Sequence, residues 1–83
     1  MRLLYFAWVK AKTGTAEEEV EVPQEVRDVS GLLDWMESRG PRYAEAFSDR
    51  AAIRVAVNQE FARPGDPVAP GDEVAFFPPV TGG

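Results

Sequence analysis

The chain has 83 residues, a net charge of -5 and a hydrophobic content of 45%, which fits one small folded domain and leaves no room for a second. The negative charge disfavours nucleic acid and anionic membranes as partners. Cysteine and histidine are both absent, which excludes a disulfide framework, a Cys/His metal site, a thiol nucleophile and a histidine base, so no metal site is predicted. With no basic leader and no apolar run of membrane-spanning length, we expect a soluble, cytoplasmic protein.

The first element predicted is a β-strand over residues 2–10, because apolar side chains occupy both of its alternating faces. One face carries Leu3, Tyr5, Ala7 and Val9, and the other carries Leu4, Phe6 and Trp8. Residues 12–15 have turn composition, and the glutamates 17–19 lead into a returning strand that continues through Val22. Three consecutive strand side chains point alternately to opposite faces, so we interpret the glutamates as a solvated strand entrance and not as an acid/base pair.

A helix is predicted next, with Asp28 as its N-cap and one apolar stripe at helical spacing. The stripe consists of Val29, Leu32, Leu33 and Met36. Arg39, Gly40 and Pro41 supply a cation, a left-handed residue and a breaker, which are typical of a helix end. Residues 41–50 are predicted to hold a second, short helical turn with Tyr43, Ala44 and Phe47 directed inward.

Three strands complete the domain. Residues 52–57 alternate between a buried face and a face of small or charged groups, residues 58–59 form a turn, and residues 61–62 form a short extended piece. Two Pro-Gly-Asp sequences follow, and we interpret them as turns because they lack the spacing of a calcium loop. The last strand, 73–77, should direct Val74 and Phe76 into the core and Ala75 and Phe77 outward.

The chain ends in an extended tail, residues 78–83. Pro78 and Pro79 lack N–H donors, so they end the strand, and a proline pair favours an extended course. Gly82 and Gly83 have no side chains, so the terminal carboxylate can enter a narrow channel and is the candidate reactive group. A frayed, inert terminus is the alternative interpretation.

Residues 72–81 resemble the C-terminus of the family of small, sulfur-carrying subunits of molybdopterin synthase, and residues 57–59 and 3–10 extend the resemblance. It implies an α+β, ubiquitin-like β-grasp fold with a mixed sheet of about five strands and one main helix on one face. The domain would span 1–77, with the first and last strands as the central pair. The resemblance also implies a partner-binding surface on the open face, formed by Phe6, Phe61, Phe77, Pro78, Pro79, Val80 and Thr81.

The chemistry implied by the resemblance belongs to the tail. An E1-like adenylating enzyme would use magnesium and ATP to convert the Gly83 carboxylate to an acyl adenylate, and a sulfur donor would displace AMP to leave a thiocarboxylate, with Gly82 beside it. The large synthase subunit would then receive the sulfur, in a heterotetramer. This chain would bind no cofactor and contribute no catalytic side chain.

Three alternatives stay open at this point. The chain could be a related ubiquitin-like sulfur carrier of the thiamine type. It could also be a protein modifier that forms an isopeptide bond through the same Gly-Gly end. A third alternative is an interaction domain with an inert tail.

Overall fold

A computed structural model describes residues 1–79. Within them the chain forms five strands, three α-helices and one turn of 3-10 helix. In chain order they are β1 (Arg2–Tyr5), α1 (Ala7–Thr13), β2 (Glu17–Glu19), α2 (Val29–Glu37), α3 (Pro41–Phe47), the 3-10 turn (Arg50–Ala52), β3 (Arg54–Val57), β4 (Glu60–Ala62) and β5 (Glu73–Phe77). The strands form one mixed sheet in the order β2-β1-β5-β3-β4, which confirms the predicted fold class.

The first and last strands lie side by side at the centre of this sheet. β1 runs parallel to β5, with Tyr5 opposite Phe76. β5 also pairs with β3, antiparallel, with Val55 opposite Phe76. The strand that leads into the tail is therefore hydrogen-bonded on both sides.

The first strand is shorter than predicted, and this prediction was wrong beyond Tyr5. Ala7 has a φ of 53°, a left-handed conformation that turns the chain out of the sheet. α1 follows, with Val9 and Thr13 buried one helical turn apart and Gly14 at φ 82° closing it. The alternation of apolar residues continues from the strand into the helix, which is why the pattern extended the strand to residue 10.

The glutamate segment also differs from its prediction. β2 ends at Glu19, so residues 20–22 lie outside the strand. Glu17 and Glu19 are exposed, as expected of a solvated entrance, but Glu18 is only half-exposed. Its carboxylate accepts hydrogen bonds from Arg39 (2.9 and 3.0 Å), Tyr5 (2.6 Å) and Tyr43 (2.9 Å).

The predicted main helix is confirmed as α2. The Asp28 carboxylate accepts from the N–H of Gly31 at 2.7 Å, which satisfies one free donor of the first turn. All four residues of the apolar stripe are buried. Gly40, at φ 136°, separates α2 from α3, and Pro41 opens α3 in the position where its missing N–H costs nothing.

The core lies between the helices and one face of the sheet. At its centre three fully buried rings meet: Tyr5 stacks on Phe76 at 5.7 Å between centroids, and Phe47 meets Phe76 edge-on at 4.9 Å. Phe47 is inward as predicted, whereas Tyr43 and Ala44 are half-buried and Ala46 is the other buried residue of α3. Across residues 1–79, no helix is long and apolar enough to cross a membrane.

Candidate functional site

The candidate site lies at the end of β5, where the strand passes into the C-terminal tail. The Phe6 N–H donates to the Phe76 carbonyl oxygen at 3.1 Å, so the pairing of β1 with β5 persists to the end of both strands. Phe77 is the last strand residue, and Pro78 and Pro79 follow it half-exposed. The described tail residues therefore start from a fixed position at the sheet centre.

The sheet face opposite the helices, called the open face below, is apolar along its middle row. Leu4 lies opposite Ala75, Ala75 opposite Ala56, and Ala56 opposite Phe61. Because the two alanines are smaller than the side chains at either end of the row, the surface has a depression at its centre. The open face is thus a shallow saddle that a protruding apolar group of a partner can fill.

Two aromatic rings meet at the β4 end of this row. Phe61 and Phe77 have centroids 5.8 Å apart and an interplanar angle of 57°. Phe61 is 79% exposed, which is unusual for so large an apolar side chain, and Phe6 is 49% exposed. Phe6 follows Tyr5, whose register partner is Phe76, so it lies next to Phe77 at the end of the β1–β5 pair. We call Phe6, Phe61 and Phe77 the aromatic patch.

By strand register, the structure places the predicted residues Phe6, Phe61 and Phe77 on the open face, with Pro78 and Pro79 directly after Phe77. The ring contact that it shows is between Phe61 and Phe77, whereas the sequence prediction emphasised Phe6 and Phe77. Their role in partner binding stays a prediction. The other predicted site residues, Val80, Thr81, Gly82 and Gly83, lie outside the described residues.

The aromatic patch consists of three side chains that have no titratable group. Among residues 1–79 there is no cluster of carboxylates suited to a metal ion. The strongly shifted titratable groups belong to the Glu18 cluster, in which the Arg39 hydrogen bonds, together with those of Tyr5 and Tyr43, lower the pKa of Glu18 to about 2. Burial, followed by the hydrogen bond to Glu18, raises the pKa of Tyr5. The patch is suited to docking, because its three side chains are apolar and at least partly exposed.

Sequence reasoning missed the middle row of the open face. Alternation in residues 52–57 already directed Ala56 outward, and the same rule directed Ala75 outward in the last strand. Their adjacency could not be inferred, because it depends on the pairing of β3 with β5. Arg54 was likewise predicted to face outward, but its position opposite Phe77 could be known only from the register of β3 and β5.

Comparisons with known proteins agree with this geometry. The model of the ThiS family matches residues 3–83. The molybdopterin synthase sulfur carrier subunit of Escherichia coli (strain K12) is 40% identical over 83 residues, which cover 100% of this chain and 99% of the relative. This result confirms the resemblance found in the sequence.

Solved structures also match along nearly the whole chain. A putative molybdopterin converting factor, subunit 1, from Pyrococcus furiosus superposes with a TM-score of 0.78 and 27% identity, covering 95% of both chains. Small archaeal modifier protein 1 of H. volcanii superposes with a TM-score of 0.68 and 28% identity, covering 96% of this chain and 97% of its own.

Proposed function

Because this chain belongs to the ThiS family, we propose that it is a sulfur carrier and the small subunit of a molybdopterin synthase. The observation that carries the proposal is the similarity to the sulfur carrier subunit over the whole chain, Gly-Gly end included. The structure supports it by placing an exposed apolar surface at the start of the tail.

The tail carboxylate must be activated before it can carry sulfur. A carboxylate is a poor acyl donor, because the group that would leave is oxide. In the proposed reaction the Gly83 carboxylate attacks the α-phosphorus of ATP on an adenylating partner enzyme, and pyrophosphate leaves. A sulfur donor then displaces AMP to give a thiocarboxylate. ATP and magnesium belong to that partner.

The aromatic patch supplies the binding energy for the next step. Exposed aromatic side chains that become buried are the residue type most often dominant in protein interfaces. In this proposal Phe6, Phe61 and Phe77 dock on the large synthase subunit, while the tail reaches its active site. The thiocarboxylate sulfur there attacks the cyclic pyranopterin precursor, in a heterotetramer of two carriers on a large-subunit dimer.

The experiment that tests the proposal is intact-mass analysis after incubation with the adenylating enzyme, MgATP and a sulfur donor. We expect the mass gain of one oxygen replaced by sulfur in the parent chain. A chain lacking Gly83, or carrying one additional alanine after it, should show no gain. Gly65→Ala is the matched control, because it alters a glycine with open space around it, away from the tail. Sulfur acquisition by the shortened chain would refute the mechanism.

A second candidate function is protein modification. It is favoured by the structural similarity to small archaeal modifier protein 1. A modifier would pass its activated Gly83 to a lysine amine, so it would give conjugates with an isopeptide bond in place of a stable thiocarboxylate. Adding the large subunit and the pterin precursor separates the two functions, because only a synthase subunit yields the dithiolene product. The same experiment distinguishes a synthase subunit from a thiamine-type carrier.

A further inference from the structure

A groove of about 380 Å³ lies between α2 and the part of the sheet formed by β3 and β4. Its apolar lining includes Val29 and Leu33 from the helix and Ile53 and Val55 from the sheet side. These four side chains belong to the core and are only 1 to 6% exposed, so the groove reaches the core surface directly. Its volume lies in the range of small-ligand and peptide-side-chain pockets.

The charged residues that line the groove are all positive. They are Arg50, Arg54 and Arg63, and no aspartate or glutamate is among the described lining residues. This is notable in a chain whose net charge is -5. The charged side chains of the lining itself are therefore opposite in sign to the net charge of the whole molecule.

Two of the three arginines are not compensated by a carboxylate. Arg50 is paired, because its guanidinium lies 2.6 Å from Asp34 and 3.2 Å from Glu37. The Arg54 guanidinium instead donates to the carbonyl oxygens of residues 51 and 53, both at 3.2 Å. In residues 1–79, neither Arg54 nor Arg63 forms a salt bridge, and both are exposed. The Arg63 guanidinium is thus available for a carboxylate ligand, and the Arg54 guanidinium keeps the N–H groups that its two bonds to carbonyl oxygens do not use.

We propose that this groove binds an acidic peptide segment of a partner protein, with aliphatic side chains against the apolar lining and carboxylates on Arg54 and Arg63. A nucleotide fits less well, because no aromatic ring on which a base could stack is among the lining residues that the structure describes. A long polyanion is disfavoured by the net charge. The site is separate from the tail chemistry, so it does not depend on the function proposed above.

The position of Arg54 connects the groove with the open face. Arg54 lies opposite Phe77 in the β3–β5 pair. A partner that covers the aromatic patch therefore needs only to pass around β3 and β4 to place an acidic segment in the groove. Such a segment would add charge-dependent specificity to an otherwise apolar contact.

The test uses the full, isotope-labelled chain and a synthetic probe peptide, acetyl-Glu-Glu-Val-Leu-Val-Glu-Glu-amide, followed by NMR titration. We expect amide shifts at Val29, Leu33 and Ile53, and an affinity that falls about tenfold or more in the variant Arg54→Glu, Arg63→Glu, because attraction becomes repulsion. Arg42→Glu, on α3 and outside the groove, makes the same type of charge change and should bind as the parent does. Arg63→Glu alone, at an exposed position after β4, replaces the double variant if that one does not fold.

Several results would overturn the proposal. Two concern the probe: it does not bind at millimolar concentration, or a probe with lysines in place of the glutamates binds equally well. The other two concern the protein: the amide shifts are centred on Phe61 and Phe77, or the charge-reversed variant binds the probe with the affinity of the parent. AMP and inorganic phosphate are titrated in parallel. Groove shifts with AMP at a higher affinity than with the peptide would also contradict it, by identifying a nucleotide site.

Discussion

Phe76 and Phe77 are neighbours in the chain, yet strand alternation gives them opposite environments. Phe76 is fully buried against Tyr5 and Phe47, whereas Phe77 is half-exposed and contacts Phe61 on the open face. One residue therefore stabilises the domain, and the next is available to a partner.

The first prediction compares alanine substitutions at these two positions. Phe76→Ala should lower the free energy of unfolding by about 3 to 5 kcal/mol, because it removes a buried ring and leaves a cavity. Phe77→Ala should lower it by less than about 1 kcal/mol but weaken binding to the large subunit by about 1 kcal/mol or more. Urea denaturation and a binding isotherm measure the two effects. Equal losses of stability would show that Phe77 is a core residue.

At this scale much of the site was predictable. Alternation alone directed Val74 and Phe76 inward and Phe77 outward, because a strand has only two faces. The contact of Phe61 with Phe77 was harder, since these residues lie on β4 and β5 and meet across β3. That contact depends on a tight turn in which Asn58 and Gln59 both adopt positive φ.

At the scale of elements, α1 shows why local pattern was insufficient. Val9 and Thr13 are buried at helical spacing, and Lys10, Lys12 and Gly14 form a typical helix end. The competing signal was the alternation of residues 3–9, which continues without a break. Only the left-handed conformation of Ala7, which is uncommon for a residue with a Cβ, separates the strand from the helix.

The Glu18 cluster joins three elements and the segment after α2 through one carboxylate. Glu18 is on β2, Tyr5 on β1, Tyr43 on α3, and Arg39 follows α2. The Arg39 guanidinium also lies over the rings of Trp35 (4.9 Å) and Tyr43 (4.3 Å). Because β2 is an edge strand of three residues, this cluster is its main side-chain connection to the helices.

The second prediction concerns the pH dependence of stability. The pKa of Glu18 is lowered from 4.5 to about 2 in the folded state, so the ionised carboxylate stabilises the fold fully above pH 4.5. This contribution is lost as the pH falls toward 2. Glu18→Gln should cost about 1 to 3 kcal/mol at neutral pH, because charge-assisted hydrogen bonds are lost.

The measurement for this prediction is urea denaturation at a series of pH values from neutral to pH 2. The difference in stability between the parent and Glu18→Gln should shrink through this acidic range. Glu21→Gln is the control, because Glu21 is exposed on the segment that follows β2. This substitution should not change the free energy of unfolding. A difference that does not change with pH would show that the loss is one of packing.

At the scale of the whole molecule, the fold fixes the position at which the tail begins. β5 lies between two partner strands, and Pro78 and Pro79 leave it half-exposed. Fixed φ angles at both prolines restrict the conformations of the free tail before a partner binds. Part of the entropy cost of ordering the tail is thereby reduced.

The third prediction follows from this restriction. Replacing both residues, Pro78→Gly and Pro79→Gly, should weaken binding to the large subunit by about 1 to 2 kcal/mol, since each glycine adds conformational freedom to the unbound tail. The rate of sulfur transfer at saturating carrier should not change, because Gly83 is untouched. Pro70→Gly, in the turn before β5, is the control for a proline lost elsewhere. Unchanged affinity of the double variant would mean that the prolines only end the strand.

The parallel pairing of β1 and β5 has a mechanical consequence. The N-terminus precedes one strand and the tail follows the other, so the two chain ends leave this pair in opposite directions. A pull on Pro78 acts along β5 and strains its hydrogen bonds to β1 and β3 in shear, so they must fail together instead of one at a time. In the function proposed above, withdrawal of the tail from a partner should therefore break the docking contacts before the domain unfolds.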